Sequence, residues 1–254
     1  MNEAKFDGMG NIYAKYRPSY PRAFIEHLYS CVGFRKNSVI ADVGSGTGIL
    51  TKLLLKEGNT VFSVEPNDDM RAIAEADLKG FINFHSVNGT AENTTLGGAS
   101  VDFVTAAQAF HWFDREKFKT ECGRVLKPEG KIVLVWNSRV SGAEIVKEGY
   151  EINKKYCPDF KGFSGGMRGE ENENDFDDFF DGEYERKVFQ NDQLFDLNGF
   201  IGRNLSGSYA LKEKDENYPA YISEMMASFN KHAINGKLTM PNVTKSYIGR
   251  IKER

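Results

Sequence analysis

The sequence predicts an α/β fold built on a doubly wound, mostly parallel sheet of seven strands. Three observations carry this expectation. Strand-like and helix-like segments alternate from about Ser38 to Asn137. Several strand segments, such as "KIVLVWN", are continuous apolar runs, as strands with both faces covered require. The first of them runs directly into "ADVGSGTGIL", residues 41–50, where glycine occupies every second position from Gly44 to Gly48.

Taken in order, residues 1–21 are polar and aromatic, with Pro18 and Pro21 limiting regular structure. "RAFIEHLYSCVGF" places Phe24, Ile25, Leu28 and Val32 at helical spacing. "SVIADVG" reads as a buried strand and "GILTKLLLKEG" as a helix stopped at Gly58. "TVFSVEP" is a second strand. "NDDMRAIAEADLKG" follows as a helix with Asn67 as N-cap and Gly80 as stop. "INFHSVNG" and "SVDFVTAAQAF" are the third and fourth strands, the latter after a turn at Gly97–Gly98. A helix over "DREKFKTECGRV", capped by Asp114, gives way before Pro128, and "KIVLVWN" is the fifth strand. Beyond Ser138 the regularity fades. "FSGGMRGEENENDFDDFFDGEYE" reads as a solvated loop or a mobile cover holding Phe176, Phe179 and Phe180. "RKVFQNDQLFD" and "LTMPNVTKSYIGRI" read as two late strands completing one edge of the sheet, with a helix over "ENYPAYISEMMASFNKHA" between them. The expected organisation is a cover and helix over 1–35, a ligand-binding core over 36–138, and a substrate-side region with the final strands over 139–254.

A chain of 254 residues buries enough surface to fold without metal or disulfide staples. Its net charge of −3 gives the protein as a whole no electrostatic reason to seek nucleic acid or anionic membrane. Cys31, Cys122 and Cys157 are far apart and form no CxxC pair, which fits a reduced, cytoplasmic protein without a bound metal. No apolar stretch has the length of a membrane span.

The glycine stretch asks what ligand needs bare main chain at the end of a strand. Glycine permits positive φ and lets a ligand lie against the backbone with no Cβ between them. The helix beyond it points free N–H groups at that ligand. A Walker loop needs a lysine that is absent after Ile49, and the dinucleotide fingerprint needs its last glycine at the position of Ile49, one beyond Gly48. What stands is Asp42-x-Gly44-x-Gly46-x-Gly48, an acid before three alternate glycines, interleaved by Ser45 and Thr47.

This pattern resembles motif I of the class I S-adenosylmethionine-dependent methyltransferases, whose sheet is Rossmann-like. The acid suits a donor with an ammonium group and a cationic sulfur, where a pyrophosphate would be repelled. Glu65 ends the second strand about 20 residues beyond the loop, where an acid accepts from both ribose hydroxyls; an NAD enzyme shares this feature. Pro66 and Met70 are placed to flank the adenine. "GTAENTTL" supplies Thr90, Ala91 and Glu92 where family members set a small residue and an acid beside the adenine amino group. "AAQAFHWFD", with Ala107, Gln108 and His111, resembles the segment after strand four in the trans-aconitate methyltransferase-like branch, lying under the methionine part of the donor. "LKPEGKIVLVWN" resembles that branch's LKPGG turn, with Glu129 in place of the first glycine. "YAKYRPSYP" resembles its N-terminal cover, which assigns Tyr16 and Arg17 to the donor site and Tyr13, Tyr16 and Tyr20 to a lid.

The resemblance implies in-line methyl transfer from S-adenosylmethionine to a small molecule, leaving S-adenosylhomocysteine. A carboxylic acid is one candidate acceptor: it is already ionised at neutral pH and needs only placement. A hydroxyl or amine acceptor needs proton removal, and His111 is the candidate base, with a pocket-shaping role as its equal alternative. Arg17 is expected to pair with a carboxylate of donor or acceptor, and Arg139, Arg168 and Arg203 hint at an acidic acceptor. The competing functions are a non-catalytic protein that keeps the donor pocket and a nicotinamide-dependent oxidoreductase. Oligomeric state is not legible in the sequence.

Overall fold

A computed structural model describes residues 17–163 and 174–251 of the chain. Nine strands are assigned among them: β1 (Val39–Val43), β2 (Thr60–Val64), β3 (Phe84–Val87), β4 (Val101–Ala107), β5 (Leu126–Arg139), β6 (Tyr184–Gln190), β7 (Gln193–Phe195), β8 (Leu238–Met240) and β9 (Asn242–Gly249). The helices are α1 (Arg22–His27), α2 (Ile49–Lys56), α3 (Asp68–Leu78), α4 (Arg115–Val125), α5 (Glu144–Tyr156), α6 (Asn174–Phe180), α7 (Leu197–Leu205) and α8 (Tyr218–His232). No helix among the described residues is long and apolar enough to cross a membrane.

Seven strands form one sheet in the order β3-β2-β1-β4-β5-β9-β6. Strands β1 to β5 pair in parallel, while β9 runs antiparallel to both β5 and β6. The order reverses at β1, where the chain moves from one half of the sheet to the other. Such a switch point opens a crevice at the carboxyl ends of β1 and β4.

The helix signals act as local chemistry demands. Asn67 and Asp114 cap α3 and α4, accepting from the backbone of Met70 and Lys117. Gly58 follows α2 with φ +99°, a conformation open to glycine. The "LKPEG" turn is absorbed into β5 as a bulge, since Val101 faces Leu126 while Phe103 faces Lys131. Glu129 stands in that bulge at φ +69°, so the residue that replaces glycine occupies a left-handed position; its carboxylate meets Arg250 at 2.5 Å.

Alternation along β5 makes the two-sided burial visible. Val133 and Val135 enter a core with Phe24, Leu54 and Leu78 from α1, α2 and α3. Ile132, Leu134 and Trp136 enter the opposite core with Phe118 of α4 and Phe179 and Phe180 of α6. A third cluster joins α5, α7 and α8 through Ile145, Phe200, Tyr221 and Met225.

Three expectations beyond Ser138 are corrected here. Residues 174–180 form a helix, and Phe176, Phe179 and Phe180 are buried core residues rather than parts of a solvated loop or mobile cover. Phe176 stacks on Tyr247 at 3.9 Å, and Phe179 meets Phe110 edge-on. "RKVFQNDQLFD" is not one strand: β6 joins the main sheet and β7 pairs with β8 in a separate ribbon, so "LTMPNVTKSYIGRI" also divides, into β8 and β9. Helices α5 and α7, which the sequence reading did not assign, complete the third cluster. Phe180→Ala should therefore lower unfolding free energy by about 3–5 kcal/mol in denaturant titration, the cost of emptying a core site; unchanged stability would return the segment to the status of a cover.

Candidate functional site

A cavity of about 690 Å³ opens at the carboxyl ends of β1, β2 and β4, within the range that holds a small ligand or cofactor. Thirteen of the residues expected at a donor site line it: Arg17; Gly44, Ser45, Gly46 and Thr47 from the glycine loop; Glu65, Pro66 and Met70 after β2; Thr90, Ala91 and Glu92 after β3; and Ala107 and Gln108 ending β4. Asp42, Gly48 and His111 lie outside its wall, and Tyr16 lies outside the described residues with Tyr13 and Arg168.

The three loop glycines all have positive φ, yet each meets a different constraint. A Cβ on Gly44 would stand 2.7 Å from the Ala109 Cβ and 3.0 Å from the Phe113 ring, so this glycine lets the segment after β4 close over the loop. A Cβ on Gly48 would strike Leu78 at 2.8 Å, so this one lets α2 pack on α3. A Cβ on Gly46 meets nothing within 4 Å, because this glycine faces the open cavity. Beside it the Thr47 hydroxyl is buried, lines the cavity and has no hydrogen-bond partner among the described residues. A buried hydroxyl without a partner is uncommon in a folded protein.

Glu65 spans the crevice. One carboxylate oxygen accepts from the Gly46 N–H at 2.8 Å and the other from the Asn67 N–H at 2.9 Å. Burial raises its pKa, opposed by those two backbone donors. Each oxygen keeps a further lone-pair direction for a ligand hydroxyl.

Asp42 lies beneath the cavity rather than in its wall. It is fully buried beneath the loop, accepting from the Thr51 and Thr105 hydroxyls at 2.6 and 2.7 Å, and therefore ties β1 to α2 and β4. Burial raises it to about 6 against the pull of the two threonines. Its two oxygens each accept from one of these threonines.

Gln108 follows β4 at φ +58°, a strained conformation for a residue with a side chain. Its backbone N–H donates to Val135 O at 2.9 Å and its side-chain amide to Asn137 O at 3.0 Å, which fixes it between β4 and β5. His111 sits half-buried on the short turn Phe110–Trp112, its Nδ1 buried and without a partner among the described residues. Burial, and then the Arg17 guanidinium, lower it to about 4, so the imidazole is neutral at physiological pH.

The sequence reading did not single out Asn67, Ile49, Leu50, Trp112, Phe113 or Lys117 as wall residues, which the structure adds. Trp112 and Phe113 carried a signal, two large aromatics immediately after a strand end; Lys117 and Asn67 carried none, since both read as helix residues. Tyr20, expected in a lid, is buried and packs on Phe24 at 5.8 Å while also lining the cavity. Outside this site, Glu144, Glu148 and His232 gather closely enough to hold a metal, but Lys231 already bridges the two carboxylates.

Residues 41–134 match the methyltransferase domain family. The chain is 39% identical over 140 residues to an uncharacterized methyltransferase of Mycobacterium tuberculosis, covering 55% of each chain. It is 32% identical over 144 residues to an uncharacterized methyltransferase of Schizosaccharomyces pombe, covering 56% of each. The match thus spans about half the length of these relatives. Among solved structures, one provisionally assigned as a type II methyltransferase from Anaeromyxobacter dehalogenans superposes with a TM-score of 0.69 at 20% identity, over 94% of this chain and 100% of that one. An N-methyltransferase of Haemonchus contortus, solved with S-adenosylhomocysteine and phosphomonomethylethanolamine, superposes with a TM-score of 0.55 at 14% identity, over 99% of this chain and 57% of that one. The fold is the one these solved methyltransferase structures share, and the match to the methyltransferase domain family is confined to residues 41–134. Its specific likeness to the trans-aconitate branch is not among these findings.

Two outcomes follow from this geometry. Glu65→Ala should weaken binding of S-adenosylhomocysteine by about 1–3 kcal/mol in calorimetry, through loss of charged hydrogen bonds; unchanged affinity removes Glu65 from the site. His111 has a native pKa of about 4 below its ordinary 6.5, so the native state binds fewer protons than the unfolded chain between those values. Its contribution to stability is therefore lost as pH falls through that window, while the raised Asp42 works in the opposite sense. His111→Gln should reduce the stability lost between pH 7 and pH 5 by an amount on the order of 1–3 kcal/mol, read as the difference between the two proteins in denaturant titrations.

Proposed function

We propose, from a methyltransferase domain on the class I fold, that this protein transfers a methyl group from S-adenosylmethionine to a small-molecule acceptor, with a carboxylic acid as the favoured class. The observation that carries the donor assignment is the wall formed by Gly46, Thr47 and Glu65. It combines open backbone, an unpartnered buried hydroxyl and a pinned carboxylate, a donor set suited to a cationic nucleoside with a free ribose. The acid-rich wall, with Glu65 and Glu92, does not suit a pyrophosphate.

When bound, S-adenosylmethionine supplies an electrophilic methyl carbon on a sulfonium with a good leaving group. In this reading Glu65 receives the ribose hydroxyls, Pro66, Met70 and Ala91 flank the adenine, and Gly44 and Gly46 let the donor lie against the main chain. Ala107, Gln108 and Arg17 bound the end where the methyl is offered. Trp112, Phe113 and Tyr20 exclude water from that end, and holding acceptor and donor in line is worth effective molarities of roughly 10⁵–10⁸ M.

The titration of His111 bears on the acceptor. An imidazole held at about 4 is a weak base at neutral pH, poorly matched to stripping a proton from a hydroxyl or an amine. A carboxylate acceptor arrives ionised and asks only to be positioned, with His111 shaping the pocket as a neutral group. Three free cysteines, two of them buried, suit a reducing compartment such as the cytoplasm.

Calorimetry distinguishes the donor from its rivals: S-adenosylhomocysteine should bind saturably and NADH should not, and the reverse would make the protein an oxidoreductase. Labelled donor offered with a metabolite panel should label an acidic product; donor binding with no labelled product across that panel would leave a binding protein.

A further inference from the structure

At the far end of β5 stands a second group of polar side chains outside the donor cavity. Arg139 is the last residue of β5, and its Cα partner on β9 is Asn242. Two residues earlier Asn137 faces Thr244, and their side chains bond at 2.5 Å. Alternate residues of a strand share a face, and opposed residues of an antiparallel pair share it too. Arg139 and Asn242 therefore project on the same side of the sheet as Asn137. That side is covered by the N-terminal segment, because Asn137 Nδ2 donates to Pro18 O and Ser19 O at 3.2 and 3.3 Å. The same segment carries Arg17, which lines the donor cavity and donates to Ser206 O at 2.9 Å.

The chemistry of this group is one-sided. Arg139 is half-buried, its guanidinium lies 4.0 Å from the centre of the Phe163 ring, and no carboxylate pairs with it among the described residues. Asn242 is 4% exposed, and its Nδ2 has no hydrogen-bond acceptor among the described residues. Around them Tyr209, Phe160 and Phe163 form a wall of edge-to-face rings. Burial pulls the guanidinium below its ordinary value; Tyr209 opposes this, and Arg17 adds repulsion. The guanidinium of Arg139, hydrogen-bonded to the Tyr209 side chain, and the unpartnered amide donor of Asn242 belong to opposed residues of β5 and β9, and both lack an acceptor with negative charge among the described residues. Structural arginines at such depth are matched by an acid. This one is matched by none among the described residues.

We propose that Arg139 and Asn242 form the anion-receiving site of the methyl acceptor, holding one carboxylate of an acid whose apolar body packs on Phe163 and Tyr209. The proposal rests on the methyltransferase reading and adds to it the residues that select the acceptor. Arg139 is then a specificity residue: its planar fork takes a carboxylate edge-on while Phe163 supports its face. It also separates two roles among the arginines, with Arg17 at the donor cavity and Arg139 at the acceptor.

The test uses the full chain saturated with S-adenosylhomocysteine and titrated with benzoate, succinate and benzamide, followed by calorimetry and ligand-observed NMR. At least one of the two acids should bind saturably and benzamide should not. Arg139→Gln should weaken that acid by about 10- to 100-fold, the loss of a charged hydrogen-bond pair, while leaving S-adenosylhomocysteine affinity unchanged. Arg139→Lys, which keeps the charge and loses the fork, should fall between the two. It also serves if the glutamine variant does not fold: a folded lysine variant that binds the acid more weakly than the wild type meets the expectation, and one that binds it equally overturns the proposal. Failure of both acids to bind the loaded protein, or equal binding by the wild type and a folded Arg139→Gln variant, overturns the proposal. Failure of S-adenosylhomocysteine to bind the wild type overturns the donor reading beneath it, and the two failures are read in separate titrations.

Discussion

The carboxylate of Glu65 is the constraint around which the crevice at the carboxyl ends of β1 and β2 is arranged. It begins at the end of β2 and reaches sideways to the Gly46 N–H of the β1 loop, while its other oxygen holds the Asn67 N–H ahead of α3. Two loops that follow different strands are thus referred to one side chain. The bond to Gly46 turns the bare backbone outward, and the bond to Asn67 sets the residue that caps α3. The acid expected to meet ribose hydroxyls also builds the wall in which they would sit, so ligand contact and loop geometry are not separable at this position.

A second framework operates below and beside it. Asp42, fully buried, joins β1 to α2 and β4 through two threonine hydroxyls, and so fixes the loop from beneath. Asn137 joins the other edge. Its amide meets Pro18, Ser19, Thr244 and Asn191, and its carbonyl meets Gln108. Every hydrogen-bonding direction of that amide is filled, which specifies one position for the cover relative to the sheet. Donor cavity, cover and the late strands consequently share one set of hydrogen bonds.

Electrostatics divide the site into two halves. Acids dominate the side formed by β1 to β3, with Asp42, Glu65 and Glu92. On the side formed by β4, β5 and the cover, the Arg17 guanidinium acts on a neutral His111, and Arg139 ends β5 nearby in the sheet. A cationic donor and an anionic acceptor placed in those halves would approach one another with each charge facing its complement. The neutral histidine follows from the same arrangement, because burial and a nearby guanidinium both oppose its protonation.

The sequence by itself determined the alternating architecture, the caps at Asn67 and Asp114, the glycine loop and most of the cavity wall up to Gln108. These features are local. A cap needs only its own helix, and a strand-loop-helix unit places its loop residues at the strand end whatever packs elsewhere. Tertiary structure decided what contact between distant segments controls. Phe176 is core because β9 returns between β5 and β6 and presents Tyr247 to it, and Phe179 because Phe110 and Phe118 meet it; within their own acidic stretch these residues and Phe180 read as a cover. Asp42 points to threonines 9 and 63 residues away, and no spacing rule distinguishes that from pointing to a ligand. Arg139 and Asn242 lie more than a hundred residues apart in sequence and become neighbours only through an antiparallel register, which is set by the side chains of the whole sheet rather than by either residue.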